Sequence, residues 1–196
     1  VGMAFLAAYT ATQDRYYLDA ATEAADALVK GQLHSGGWTY RVYFDEPRRK
    51  TVAYRDDPQR DKRFRVTTLD DDTTQAALRF LMRVDKVLEF KNEKIHEAVQ
   101  YALDCLLKAQ FPNGGWSQGF DRAPEPEQFP VVKAAYPADW RELPHTKNYW
   151  THYTFNDNAL ANTIETLIEA WRIYADERYR QSAERAGDFI ILAQMP

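Results

Sequence analysis

The feature that most constrains the fold is a segment that occurs three times. Stretches opening at Asp14, Asn92 and Asp176 each run to a glutamine at the same spacing, Gln32, Gln110 and Gln194, and each carries an aspartate six residues before it, at Asp26, Asp104 and Asp188. Repeats of this kind are units that bury a face only against their neighbours. Each opening residue is a good helix N-cap, because its side-chain oxygen accepts a bond from a free backbone N–H of the first turn. The first two copies run on into Gly36-Gly37-Trp38 and Gly114-Gly115-Trp116; the third ends at Gln194-Met195-Pro196.

A second helix precedes each repeat. Leu160, Ile164, Leu167, Ile168, Trp171 and Tyr174 keep the spacing of one helical face, and so do Ala76, Phe80, Val84, Val87 and Leu88. Gly2 to Thr12, with Phe5, Leu6 and Tyr9, is a shorter version of the same element. The spacing predicts three antiparallel hairpins: 2–12 with 15–33, 73–90 with 93–111, and 158–175 with 177–194. Strand patterns are nearly absent. The expected fold is all-α, an (α/α) toroid of three hairpins forming one domain over 1–196. Two long connections, Thr39 to Leu69 and Ser117 to Phe155, each follow a Gly-Gly-Trp and lead into an Asp-rich helix start. Equivalent loops in a ring of hairpins fall at one end, and that end is the expected site.

Composition narrows the function. A net charge of −4 argues against a general nucleic-acid binder, and no apolar run has the length of a membrane span. The single cysteine, Cys105, excludes an intrachain disulfide and reads as a buried, inert thiol. The chain opens at Val1 with no visible signal peptide. His34 and His96 read as surface or helix positions; His145 and His152 lie in the second loop with no assignable role.

Four groups of residues could carry chemistry. Asp70-Asp71-Asp72 opens a helix; one aspartate would satisfy the helix end, and three adjacent ones repel unless a cation or solvent intervenes. Thr154-Phe155-Asn156-Asp157-Asn158 occupies the equivalent position in the third repeat. Carboxylate and amide oxygens suit calcium, and the Cys/His spacing of zinc is missing. The two Gly-Gly-Trp turns read as helix ends with the indole packed back, or as Trp38 and Trp116 facing a sugar in a groove. The loop from Arg41 to Arg65 holds nine Lys/Arg against five Asp/Glu, a surplus suited to attracting a polyanion.

The stretches TTLDDDTTQAALRFL, LLKAQFPNGGWSQ, YTFNDNAL and FIILAQMP, from about Thr68 to the end, resemble pectate lyases of polysaccharide lyase family 10. The resemblance implies calcium-assisted β-elimination on polygalacturonate or pectin by a monomeric, secreted or periplasmic enzyme. It implies that Asp70, Asp71 and Asp157 hold the ion and the substrate; Trp38, Trp116, Gln118 and Asn156 are the further expected substrate contacts. The Asp-Asn pair usual in the family reads Asp70-Asp71 here, the Asp-rich turn after it is two residues shorter than the family's, and Ser117 stands where proline is usual. The implied base is an arginine beyond Pro196. That leaves two readings open: the chain is part of a longer one, or the base is missing and the chain alone is inactive.

Two other classes of function compete. One is a non-catalytic polysaccharide-binding module on the same scaffold. The other is a glycoside hydrolase with Asp70 and Asp157 as its carboxylate pair. Terpene cyclases share Gln…Gly-x-Trp turns, but their aspartate motifs are missing around Leu69, Thr73 and Gln75.

Overall fold

The computed structural model describes residues 1–57, 63–136 and 148–195. It contains the three expected hairpins: α1 (Gly2–Thr12) with α2 (Arg15–Lys30), α4 (Thr73–Val87) with α5 (Glu93–Lys108), and α6 (Ala159–Tyr174) with α7 (Glu177–Leu192). A one-turn helix, α3 (Glu46–Arg49), lies in the first long loop and was not foreseen. The repeat's opening residues cap as expected: Asp14, Asn92 and Asp176 accept from the backbone N–H of Tyr16, Ile95 and Arg178 at 3.0, 3.2 and 2.9 Å.

The first helices of the hairpins pack side by side, α4 against both α1 and α6, while α2 packs on α4 and α5. This order of paired helices is consistent with an (α/α) toroid. The core runs through all three hairpins, with Leu78, Leu81, Val99, Leu103, Leu167 and Tyr179 buried. Ala76, placed on the apolar face by spacing, is exposed.

The repeated glutamine joins successive hairpins. Gln32 Nε2 donates to the carbonyls of Gly36 and of Ala98 in α5, both at 2.8 Å. Gln110 Nε2 donates to Gly114 and to Ser182 in α7, both at 2.9 Å. The glycine after each glutamine is equally constrained. Gly36 and Gly114 have φ of 107° and 95°, and a Cβ on either would run into the next outer helix, at Cys105 or at the Arg185 carbonyl.

Both long loops lie at one end, because they pair with each other. β1 (Thr67–Thr68) runs antiparallel to β2 (Gly119–Phe120), with Thr67 opposite Phe120 and Thr68 opposite Gly119. At the other end of the hairpins a buried aspartate, Asp85, ties α4 to its neighbours. Its Oδ2 accepts from the Tyr174 hydroxyl at 2.7 Å and lies 2.9 Å from His96 Nδ1.

Candidate functional site

The ribbon of β1 and β2 sets the position of the acidic cluster. Leu69 N–H donates to the Gln118 carbonyl at 2.7 Å, extending the pairing to the residue before Asp70. Leu69 itself is buried. From below, Gln75 Nε2 bridges the two inner helices, donating to the carbonyls of Leu69 and Ala159 at 2.8 and 3.2 Å. The starts of α4 and α6 are thereby held together.

The three aspartates do not cap α4. They form a 3-10 turn in which Asp71 and Asp72 both have left-handed backbone, φ 52° and 58°. Neither Asp72 nor Asn158, the residues preceding α4 and α6, makes a side-chain cap bond. The outer helices are capped by their own sequence; α4 and α6 are not. Asp157 is also left-handed, with φ 42°. Non-glycine residues in this region cost of order 1–3 kcal/mol each and concentrate at functional sites.

Two of the three sequence-picked acids come together. Asn156 Nδ2 donates to Asp70 Oδ1 at 2.9 Å and to Asp157 Oδ2 at 3.2 Å, so one amide joins the carboxylates of two hairpins. The Tyr40 hydroxyl donates to the other oxygen, Asp70 Oδ2, at 2.9 Å. Burial first, then the hydrogen bond and charge of Asp70 and the charge of Asp71, push the Tyr40 phenol up to about 12. Asp71 is exposed and takes no hydrogen bond from the described residues. Asp72 faces Arg79, whose Nη2 donates to its Oδ2 at 2.5 Å while Nη1 donates to Thr166 Oγ1 at 2.9 Å.

Among the described residues, no three carboxylate, thiol or imidazole groups stand close enough to hold a metal ion. The donor chemistry is nevertheless that of a hard cation. Around the site, Asp72 Oδ1, Gln75 Oε1 and Thr154 Oγ1 are buried oxygens with no hydrogen-bond partner. Such groups are rare and call for a specific explanation, an ion among them.

Trp38 and Trp116 take the packed-back reading, which corrects their expected contact with substrate. They are 2% and 4% exposed, and each indole N–H donates to a carbonyl of the preceding helix, Leu28 at 2.8 Å and Leu106 at 3.0 Å. They seal helix ends and offer no ring face to a sugar. Exposed aromatics at this end include Tyr40, Phe155, stacked on Phe189 with centroids 5.0 Å apart, and Trp150 with its neighbour Tyr149. Gln118 contributes its backbone carbonyl to the ribbon. Cys105 is half-buried rather than buried, and burial raises its thiol pKa. His145, Arg60, Asp61 and Lys62 lie outside the described residues. Tyr40 was missed, and only its adjacency to the start of the first long loop could have pointed to it.

The fold and site define an all-α protein of paired helices with a carboxylate–amide cluster where two helix starts meet. A profile of the pectic acid lyase family matches residues 44–195, and the chain belongs to that family. The structure resembles the family 10 polysaccharide lyase from Cellvibrio cellulosa (TM-score 0.54, 21% identity, covering 85% of this chain and 44% of that one). It also resembles an aspartate-to-alanine mutant of that enzyme in complex with trigalacturonic acid (TM-score 0.54, 20% identity, 85% and 45% covered). The chain thus spans less than half the length of either solved structure. No curated protein matches the sequence. No helix among the described residues is long and apolar enough to cross a membrane.

Proposed function

We propose that the protein is a calcium-dependent pectate lyase that cleaves polygalacturonate by β-elimination. The observation that carries this is the Asn156 amide holding Asp70 and Asp157 together across two hairpins, in a chain of the pectic acid lyase family. The complex of the Cellvibrio enzyme with trigalacturonic acid supports an acidic polysaccharide as substrate.

The reaction removes a proton α to a uronate carboxylate, a weakly acidic position. A calcium ion would be held by Asp70 and Asp157, and when bound it would stabilise the negative charge that develops on the substrate carboxylate. This chain's own residues do the positioning. Asn156 keeps the two carboxylates in register, and Tyr40 fixes the rotation of Asp70 through its far oxygen. Two carboxylates would supply only part of calcium's six to eight oxygens, so substrate oxygens would be needed to complete the set and would be oriented by doing so. Arg79 is engaged with Asp72 and Thr166, which suits it to hold the turn in shape rather than to take a proton.

Incubation with polygalacturonate and calcium tests the proposal. A lyase produces unsaturated ends that absorb in the ultraviolet, and Asp70→Asn should lower their rate by at least about tenfold, the scale of losing one charge-stabilising group. New reducing ends without that absorbance would mean a hydrolase. Binding with no product would mean a non-catalytic module.

A further inference from the structure

The ribbon has a second end with the opposite charge. Beyond Phe120 the chain continues into Asp121 and Arg122, and opposite them lies Arg65. Asp121 sits between the two arginines, accepting from Arg65 Nε at 2.8 Å and from Arg122 Nε at 3.1 Å. Although burial pushes it up, these bonds hold the Asp121 carboxyl below the usual carboxylate range. Each arginine spends only its Nε on this pair. Their terminal Nη groups make no hydrogen bond to the described residues, and Lys108 has no acidic partner among them. Three cations against two carboxylates, Asp121 and Glu125, leave a local surplus of positive charge in a chain of net charge −4.

These groups line open space. Arg65, Arg122 and Lys108 border a cleft of about 660 Å³. A second cleft of about 470 Å³ shares Arg65 and Arg122 and reaches back along β2 to Ser117, with Trp150 on its wall. Trp150 is 47% exposed, so part of its ring is available there. The second cleft therefore runs from the arginines to Ser117, next to Gln118, whose carbonyl accepts from the Leu69 N–H beside Asp70. Five residues of extended chain separate Asp70 from Arg65, a span of up to roughly 17 Å at ~3.3 Å per residue. A disaccharide does not cover that distance, and a hexasaccharide does.

We propose that Arg65 and Arg122 form a distal subsite that grips a carboxylate of a uronate chain whose other part lies at Asp70 and Asp157. The free Nη edges give the paired donors that suit a carboxylate. Lys108 adds charge without fixing geometry, and Trp150 offers a surface to the sugar between. Asp121 orients both guanidiniums by holding their Nε sides. The subsite rests on the uronan reading of the acidic site, yet it makes a separate prediction: preference for long chains.

The test is calorimetric titration of the full chain with digalacturonate and with hexagalacturonate, in calcium, for the wild type, Arg122→Gln, Arg65→Gln and Asp157→Ala. The Arg122 side chain is 76% exposed, so its replacement leaves the core untouched. Arg122→Gln and Arg65→Gln should each weaken hexagalacturonate about tenfold, the scale of one charge-assisted hydrogen bond, with digalacturonate unchanged. Wild-type affinity of both arginine variants for the hexamer overturns the subsite, as does an equal loss for both lengths, which would indicate general attraction. The acidic-site reading then still stands if Asp157→Ala weakens both sugars. If Asp157→Ala binds like the wild type while Arg122→Gln loses the hexamer, the subsite stands and the acidic-site reading falls. A wild type that binds neither sugar rejects both.

Discussion

Asp72 shows how a single side chain departs from its expected use. A run of three aspartates at a helix start suggests capping, but Asp72 pairs with Arg79 and its own backbone is left-handed. The turn is shaped by that pair, and the shape presents Asp70 to Asn156. Asp70, Asn156 and Asp157 were legible in the sequence because equivalent positions in neighbouring repeats must lie close together. For Trp38 and Trp116 the sequence left two readings open, since an indole after a Gly-Gly turn can fold inward or outward with the same spacing; the inward one holds. Tyr40 gives a titration test. Its phenol is neutral in the folded chain well past the ordinary tyrosine range, with a pKa of about 12 against 10.0. The stabilisation this brings is present below pH 10 and is lost as pH rises towards about 12. Ultraviolet titration of the wild type minus Tyr40→Phe should show one phenol with a midpoint near 12; a midpoint near 10 would mean that the Asp70 contact does not form.

At the level of elements, the helices were readable almost to their ends. Their faces follow the helical period, and Asp14, Asn92 and Asp176 mark three starts by a local hydrogen bond. The ribbon was unreadable for the opposite reason. Two residues per strand carry no period, and their pairing joins positions more than fifty residues apart. The repeated Gln-x-x-x-Gly was visible, but its role as the tie between one hairpin and the next needed the partners Ala98 and Ser182. Gly114 tests that role. Its φ of 95° and its approach to the Arg185 carbonyl admit no side chain. Gly114→Ala should destabilise the fold by at least about 1–2 kcal/mol from the backbone conformation alone, read as a lower denaturant midpoint. An unchanged midpoint would show that α5 and α7 do not meet through this turn.

For the whole molecule, the hairpin order brings the two long loops to one end, and their ribbon links two sites of opposite sign. Much of the basic surplus seen between Arg41 and Arg65 is spent locally: Arg49 pairs with Asp56, Arg55 with Glu97 and Arg48 with Asp45. Arg65 pairs with Asp121 and shares a cleft with Arg122 and Lys108. The account's central claim is that Asp70 and Asp157 hold calcium together with a uronate. Ion and sugar would then share one coordination shell, so each must strengthen the other by the same factor. The direct measurement is calorimetric titration of oligogalacturonate into the wild type and Asp157→Ala, with calcium and with a chelator. The account predicts that calcium tightens binding to the wild type by about tenfold or more, a coupling of ~1.4 kcal/mol, and that Asp157→Ala abolishes the difference. Binding that is indifferent to both calcium and the substitution would contradict it.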